Sequence, residues 1–303
     1  MAVDSIIGAD IYSLPEDCIA AALSLTTPRD ACRLMLVASN FRSAAQFDAV
    51  WERFLPLDHR DLVSRAVNSA DLLALASKKD LYFYLCDHHI IIDDGTKSFS
   101  LEKGSGKKCY MLGAKSLQIV WGNDPRYWKW IHASESSFSD AVELLDVCWF
   151  EIHGKINTKM LSPDTNYAAY LVFTARPGIT GFESQPVEVS VRIGEREATT
   201  RTVYLDPYLD PKGRMLPRRR ALRIGPFLNR TLQNANAAAP ENNGECPKKR
   251  DDAWMEVELG EIFVRDGEEE DECIDISLKE VKGGHWKSGI IVLGIEIRPK
   301  WSK

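Results

Sequence analysis

The chain has 303 residues, enough for two domains of ~100–200 residues each or for one domain with an extension. Its 45% hydrophobic and 27% charged residues describe an ordinary soluble globular protein, and a net charge of −6 speaks against a general nucleic-acid binder, whose footprint is basic. No run approaches the ~18 apolar residues of a membrane span, and Met1-Ala2-Val3-Asp4-Ser5 has neither a basic n-region nor a long apolar core, so neither a membrane segment nor a secretory leader is expected.

Residues 11–57 are written in helical code. Ile19, Ala22 and Leu23 recur at helical spacing after Leu14-Pro15-Glu16. Thr27-Pro28-Arg29-Asp30 is a helix start, with Thr27 as N-cap, Pro28 at the first position and Asp30 in the first turn. Leu34, Val37 and Ala38 continue one apolar face, Ser39-Asn40 marks a break, and Asp48 caps a last short helix carrying Val50, Trp51, Phe54 and Leu55. So small a helical unit cannot bury all of its apolar surface alone. It requires a partner, or it is a cap packed on a neighbouring domain.

Residues 58–108 continue with apolar positions consistent with one helix over 61–75, then a helix or buried strand over 80–86. His88-His89 is read as a surface pair, because adjacent residues point differently and no further ligand sits at metal-binding spacing. Ile90-Ile91-Ile92 is a short strand entering the turn Asp93-Asp94-Gly95.

From Cys109 onward strand signals dominate. Leu117, Ile119 and Trp121 alternate with Gln118 and Val120, Gly122-Asn123-Asp124-Pro125 is turn chemistry, and Tyr127, Trp128 and Trp130 crowd its far side. These aromatics form either a core cluster or a platform for the apolar face of a sugar ring. Val187, Val189, Val191 and Ile193 alternate with polar residues, as do Met255, Val257 and Leu259, and Ile274, Ile276 and Leu278 repeat the pattern. This is the code of an antiparallel sandwich with one buried face per sheet. Residues 205–252, with prolines at 207, 211, 217, 226 and 240, the run Arg218-Arg219-Arg220 and an Asn/Ala tract, read as a long mobile inter-strand loop. Asn229-Arg230-Thr231 matches a glycosylation acceptor by chance. The acidic run at 266–272 fits no EF-hand spacing and is read as a hairpin loop.

The seven cysteines, at 18, 32, 86, 109, 148, 246 and 273, include no Cys-x-x-Cys pair, so no metal site or thioredoxin-type centre is expected, and reduced thiols in the cytoplasm or nucleus are. No phosphate-binding glycine loop and no Ser-His-Asp signature occurs, and no cofactor is implied.

Two resemblances organise these observations. Trp121 with Tyr127-Trp128-Lys129-Trp130, Cys148-Trp149-Phe150-Glu151-Ile152-His153-Gly154-Lys155, Tyr167-Ala168-Ala169-Tyr170-Leu171-Val172-Phe173, Trp254-Met255-Glu256-Val257-Glu258-Leu259-Gly260 and Trp286-Lys287-Ser288-Gly289-Ile290-Ile291 resemble, in order, the blocks of the phloem protein 2 (Nictaba-like) lectins over 109–303. Leu14-Pro15-Glu16-Asp17-Cys18-Ile19, Leu23-Ser24-Leu25, Pro28-Arg29-Asp30-Ala31-Cys32-Arg33 and Leu36-Val37-Ala38-Ser39-Asn40-Phe41-Arg42 resemble an F-box over 11–57, departing from its usual pattern at Ala38 and Asn40. Residues 58–108 look like the connector of F-box members of the lectin family, packing on the lectin domain. The implied fold is α+β multidomain: a short three-helix F-box followed by an antiparallel β-sandwich of jelly-roll type.

The resemblance implies a non-catalytic subunit of a ubiquitin ligase. Leu14, Pro15, Ile19, Leu23, Leu25, Val37 and Phe41 would dock on the Skp adaptor and, through it, a cullin. Trp121 and Trp128 would grip an N-acetylglucosamine-type ring from opposite sides of the turn, with Trp149 in the core. The family's acidic site position falls on Cys273, with Glu272 one step away. Three functions compete: a receptor that reads glycans, the same receptor reading a protein surface, and a glycan-processing enzyme.

Overall fold

The computed structural model describes residues 14–133, 138–182, 185–207, 244–266 and 272–300. The chain divides into two units between Tyr110 and Met111. Most of the 205–252 loop, including Arg218 to Arg220 and the Asn229 acceptor, lies outside the described residues, as do residues 11–13 of the F-box reading and 267–271 of the acidic run.

The first unit opens with α1 (Glu16–Ser24), whose Glu16 and Asp17 lie in the first turn and whose Ile19, Ala20 and Leu23 are buried. In α2 (Pro28–Leu34) the Asp30 amide donates to the Thr27 side chain, the expected N-cap. The expected break at Ser39-Asn40 is instead the start of α3 (Ser39–Ala44), since residues that end one helix also open the next when Ala38 is extended. In α4 (Asp48–Phe54) Asp48 does not cap its own helix; its carboxylate accepts from the Lys78 amide at 2.8 Å. The single helix expected over 61–75 is two, α5 (His59–Ser64) and α6 (Ser69–Leu73), because the Val67 amide donates to the Ile91 carbonyl at 2.9 Å instead of continuing a helix.

Ser77 accepts from the Asp80 amide and starts α7 (Lys78–Asp87), which settles helix over strand for that stretch. The strands β1 (Ile90–Ile92) and β2 (Lys97–Leu101) pair antiparallel around left-handed Asp93, Asp94 and Gly95. Residues 58–108 thus group with the helices before them, and Trp51 explains why. Its fully buried indole lies 5.6 Å from Phe54, 5.3 Å from Tyr82 and 5.0 Å from Phe83, and its Nε1 donates to the Ala45 carbonyl at 2.7 Å.

After β3 (Lys108–Gly113), the second unit is built of β4 (Gln118–Ile119), β5 (Trp128–His132), β6 (Asp140–Leu144), β7 (Phe150–Asn157), β8 (Thr165–Thr180), β9 (Val187–Ile193), β10 (Thr199–Val203), β11 (Lys248–Lys249), β12 (Met255–Val264), β13 (Cys273–Glu280) and β14 (Ser288–Pro299). One sheet places β14 beside β8, then β12 and β11, with β6 also on β14 and β5 outside β6. The other runs β10-β9-β13-β7-β4. The strand alternation seen in the sequence is the burial pattern. Val187, Val189, Ile274, Ile276, Leu278, Phe150 and Ile152 are fully buried between the sheets, while Glu188, Ser190, Glu151 and His153 face outward. Gly260 lets the sheets approach: a Cβ there would lie 2.5 Å from Val191 Cγ2.

Candidate carbohydrate and adaptor sites

The tryptophan loop hangs on an edge strand. β4 pairs with β7 through Gln118↔His153 and Ile119↔Ile152, and the Val120 amide extends the ladder by donating to the Glu151 carbonyl at 3.1 Å. Trp121 then enters the left-handed region at φ 56°, unusual for a bulky side chain. Its carbonyl accepts from the Asp124 amide at 2.8 Å, and the Asp124 carbonyl accepts from the Tyr127 and Trp128 amides at 3.0 Å. The Asp124 carboxylate accepts from the Arg126 side chain and amide, which hold it down to about 2.

The indoles this turn presents are not equivalent. Trp121 is 44% exposed and lies against Tyr127 at 5.1 Å, lining one depression with Asn123, Asp124 and Pro125. Trp128 is only 2% exposed; it sits 6.3 Å from Phe150 and its Nε1 donates to the Val120 carbonyl. It forms the floor of a different depression, beside Trp130 and Leu145. The expected grip of one ring by both indoles is therefore corrected: Trp121 offers a face, and Trp128 supports the loop from the core. Trp130, one of the aromatics read from the sequence as core or platform but not assigned to the sugar site, is partly exposed, and its Nε1 donates to the Gly122 carbonyl at 3.0 Å.

Glu272 does not join them. Because β13 runs antiparallel to β7, Cys273 pairs with Asn157, five residues beyond the Ile152 that pairs with β4, or about 17 Å at the usual strand rise. Glu272 instead meets Arg196 at 2.9 Å. Along β13 and β7 the carboxylates nearest the tryptophan end are Glu280, opposite Phe150, and Glu151, opposite Lys279. Counting from the hydrophobic alternation stops at Leu278, two residues short of Glu280.

Glu280 is buried against the ammonium of Lys287, which is 0% exposed and also donates to the carbonyls of His285 (2.7 Å) and Cys148 (3.2 Å). A two-bond bridge between Val147 and Lys287 completes the clamp. Expected in the core, Trp149 is 44% exposed just beyond this clamp, because its Nε1 donates to the Glu151 carboxylate at 2.7 Å on the outer sheet face. Burial opposes ionisation of Glu151. Hydrogen bonds from His153, Trp149 and Lys279 more than offset that and bring it to about 2.

In the helical unit the seven adaptor candidates separate into two sets. Ile19, Leu23 and Phe41 are buried, since that face of α1 packs on α3 and α4; they fold the unit and are corrected from docking to core. Leu14, Pro15, Leu25 and Val37 are exposed, and Leu36, missed in the sequence, is 81% exposed beside Val37. Leu25, Leu36 and Val37 stand in the turns between helices, so the apolar face expected to run on from Leu34 through Val37 ends with α2 and leaves Val37 in solvent. Elsewhere His88 and His89 are both exposed, and His88 stacks on Tyr84 at 4.5 Å. Among the described residues no His, Cys, Asp and Glu cluster is arranged to hold a metal.

The model of the phloem protein 2 family matches residues 107–299. The chain belongs to the phloem protein 2 family. Its relatives carry the helical part as well. From Arabidopsis thaliana, F-box protein PP2-B1 is 41% identical over 96% of this chain and 90% of its own length, and F-box protein PP2-B10 is 40% identical over 95% and 93%. F-box protein VBF is 39% identical over 95% of this chain and 99% of its own length. The protein is thus a plant F-box protein with a phloem protein 2 lectin-like domain, so the helical unit is its F-box end and the sandwich its phloem protein 2 domain.

Proposed function

We propose that this F-box protein is the non-catalytic substrate receptor of a Skp–cullin–F-box ubiquitin ligase in the cytoplasm or nucleus, and that its sandwich captures targets carrying N-acetylglucosamine-type glycans through Trp121. The observation that carries the first half is the solvent exposure of Leu25, Leu36 and Val37 in the inter-helix turns of a unit too small to hide them. Burying one such side chain in a partner is worth about 1.5–3 kcal/mol, at least tenfold in affinity. Leu25→Asp with Leu36→Asp should abolish co-purification of the Skp adaptor while the fold persists; wild-type recovery of the adaptor refutes the docking surface.

The second half is supported by the exposed indole of Trp121 beside the Asn123 amide and the Asp124 carboxylate. Titration with chitotriose should show saturable binding that Trp121→Ala removes while costing the fold only the Tyr127 contact, about 0.5–1.5 kcal/mol. A sandwich that reads a protein surface instead is favoured by the engagement of Glu272 with Arg196, away from Trp121. That reading predicts target capture unaffected by competing chitotriose.

A further inference from the structure

A second opening lies on the other flank of the tryptophan loop. Trp130, the Gln118–His153 cross-strand pair, Asn123 and Lys115 line it, and its volume is about 480 Å³. Roughly 300–1,000 Å³ is the usual range of small-ligand sites. Trp130 is partly exposed and fixed by its bond to the Gly122 carbonyl, so its indole forms a rigid wall. The side-chain amides of Gln118 and Asn123 make no hydrogen bond to another described residue. A ligand can therefore use both amides without displacing a partner within the chain.

His153, which lines this opening, stands on the outer face of the smaller sheet together with Glu151. His153 Nε2 lies 2.8 Å from Glu151, and the other oxygen of that carboxylate accepts from the indole of Trp149. The face thus runs from Trp130 through two amides, an imidazole and a carboxylate to a second exposed indole. Polar groups on neighbouring strands are ~4.8 Å apart and alternate ones along a strand ~6.7 Å apart, so a ligand lying across them meets a donor or acceptor at each step.

Its charges decide the chemistry of the occupant. Lys279 pairs with Glu151 at 3.1 Å, Lys282 with Glu188 at 3.0 Å, Lys115 with Asp140 at 2.7 Å, and Lys155 and Arg192 flank Asp275 at 3.7 and 3.9 Å. These described cations each have a carboxylate within ion-pair distance, Lys155 and Arg192 sharing Asp275, so the surface they form presents little net field. A nucleic acid, a sulfated polymer or an anionic membrane would find no uncompensated positive patch. What the face offers is flat aromatic surface at two ends and neutral hydrogen-bonding groups between them, the complement of C–H faces and hydroxyls.

We propose that the Trp130–Gln118–His153 opening, extended by Glu151 to Trp149, is a binding site for a neutral oligosaccharide, separate from Trp121. It goes beyond the loop site: the two depressions share Ile119, Gly122 and Asn123, but Trp121 and Asp124 line only the first and Gln118, Trp130 and His153 only the second.

The test is calorimetric titration of the full chain with chitotriose and, separately, cellotriose. Wild type should bind two molecules of at least one of them per chain. Gln118→Ala with Trp149→Ala should weaken one of the two sites at least tenfold and leave the other, with a small fall in melting from the lost indole hydrogen bond to Glu151; Trp149→Phe, which shares that fall but keeps a ring face, should restore part of the binding loss. Trp121→Ala should remove the complementary site. If wild type binds a single saccharide that only the Gln118/Trp149 variant loses, the loop reading fails and the present one stands. The proposal is overturned if the double variant titrates like wild type, if Trp121→Ala abolishes all binding, if neither trisaccharide binds, or if only a sulfated trisaccharide does.

Discussion

Lys287→Met should be among the most damaging single substitutions in the sandwich. Methionine fills most of the volume of the lysine stem, so the change isolates the ammonium. Glu280, 3% exposed at its side chain, would then keep its charge in the interior with only the Gly283 amide, 2.9 Å from Oε1, to compensate it. Removing one partner of a buried ion pair costs about 3–5 kcal/mol. The His285 and Cys148 carbonyls lose a donor as well, at about 1–3 kcal/mol for a group left unsatisfied, a cost that overlaps the first and is not added to it.

For a unit of this size each kcal/mol moves the melting temperature by about 2–4 °C, so the expected fall is about 6–20 °C. Scanning calorimetry of wild type, Lys287→Met, Glu280→Leu and the double variant forms a closed cycle. The double variant should be more stable than either single one, because no charge is then left alone. A Lys287→Met melting point within about 1 °C of wild type would mean that the ammonium is solvated, and a double variant worse than both singles would mean that packing, not charge, sets the cost.

Trp51→Ala should destabilise the helical unit by about 3–5 kcal/mol, read as a lowered urea midpoint, because its indole touches Phe54, Tyr82 and Phe83 at once. Trp128→Ala should cost the sandwich a similar amount, whereas Trp121→Ala should lose only the contact with Tyr127, about 0.5–1.5 kcal/mol; equal melting of the two variants would contradict their different burial. Glu151 lies at about 2 in the folded chain against 4.5 as its ordinary value, so its contribution is fully present above pH 4.5 and is lost as pH falls towards 2. Glu151→Gln should therefore be less stable than wild type at pH 7 and show a flatter stability profile between those two values in urea titrations.

The parts of the fold written as periodicity were legible in the sequence. Val187 to Ile193 and Ile274 to Leu278 alternate because every second residue faces the core, and Thr27 and Pro28 announce α2 by groups that act within one turn. What escaped depends on partners distant in sequence. Nothing local to residues 61–75 reveals that the Val67 amide bonds to Ile91, and nothing local to Asp48 reveals Lys78. At the candidate sites, residue type was the only signal. Tryptophan at 121, 128, 130 and 149 reads alike in one dimension, but antiparallel ladders bury one and expose the others to differing degrees. Glu272 was misplaced for the same reason: the direction of β13 against β7 is a property of the sheet.

The left-handed backbone at Trp121 carries a consequence for how the loop tolerates change. An L side chain held there costs about 1–2 kcal/mol relative to the ordinary basins, and glycine or asparagine would relieve most of it. Replacement of the indole by either residue at position 121 thus trades ring contact for backbone ease, and the folded chain comes out about as stable or more so. A screen for soluble, heat-resistant variants would accept such replacements and so enrich chains that have lost their aromatic face. Any thermostabilised form of this protein therefore has to be checked for tryptophan at 121 before its failure to hold a ligand is blamed on the ligand.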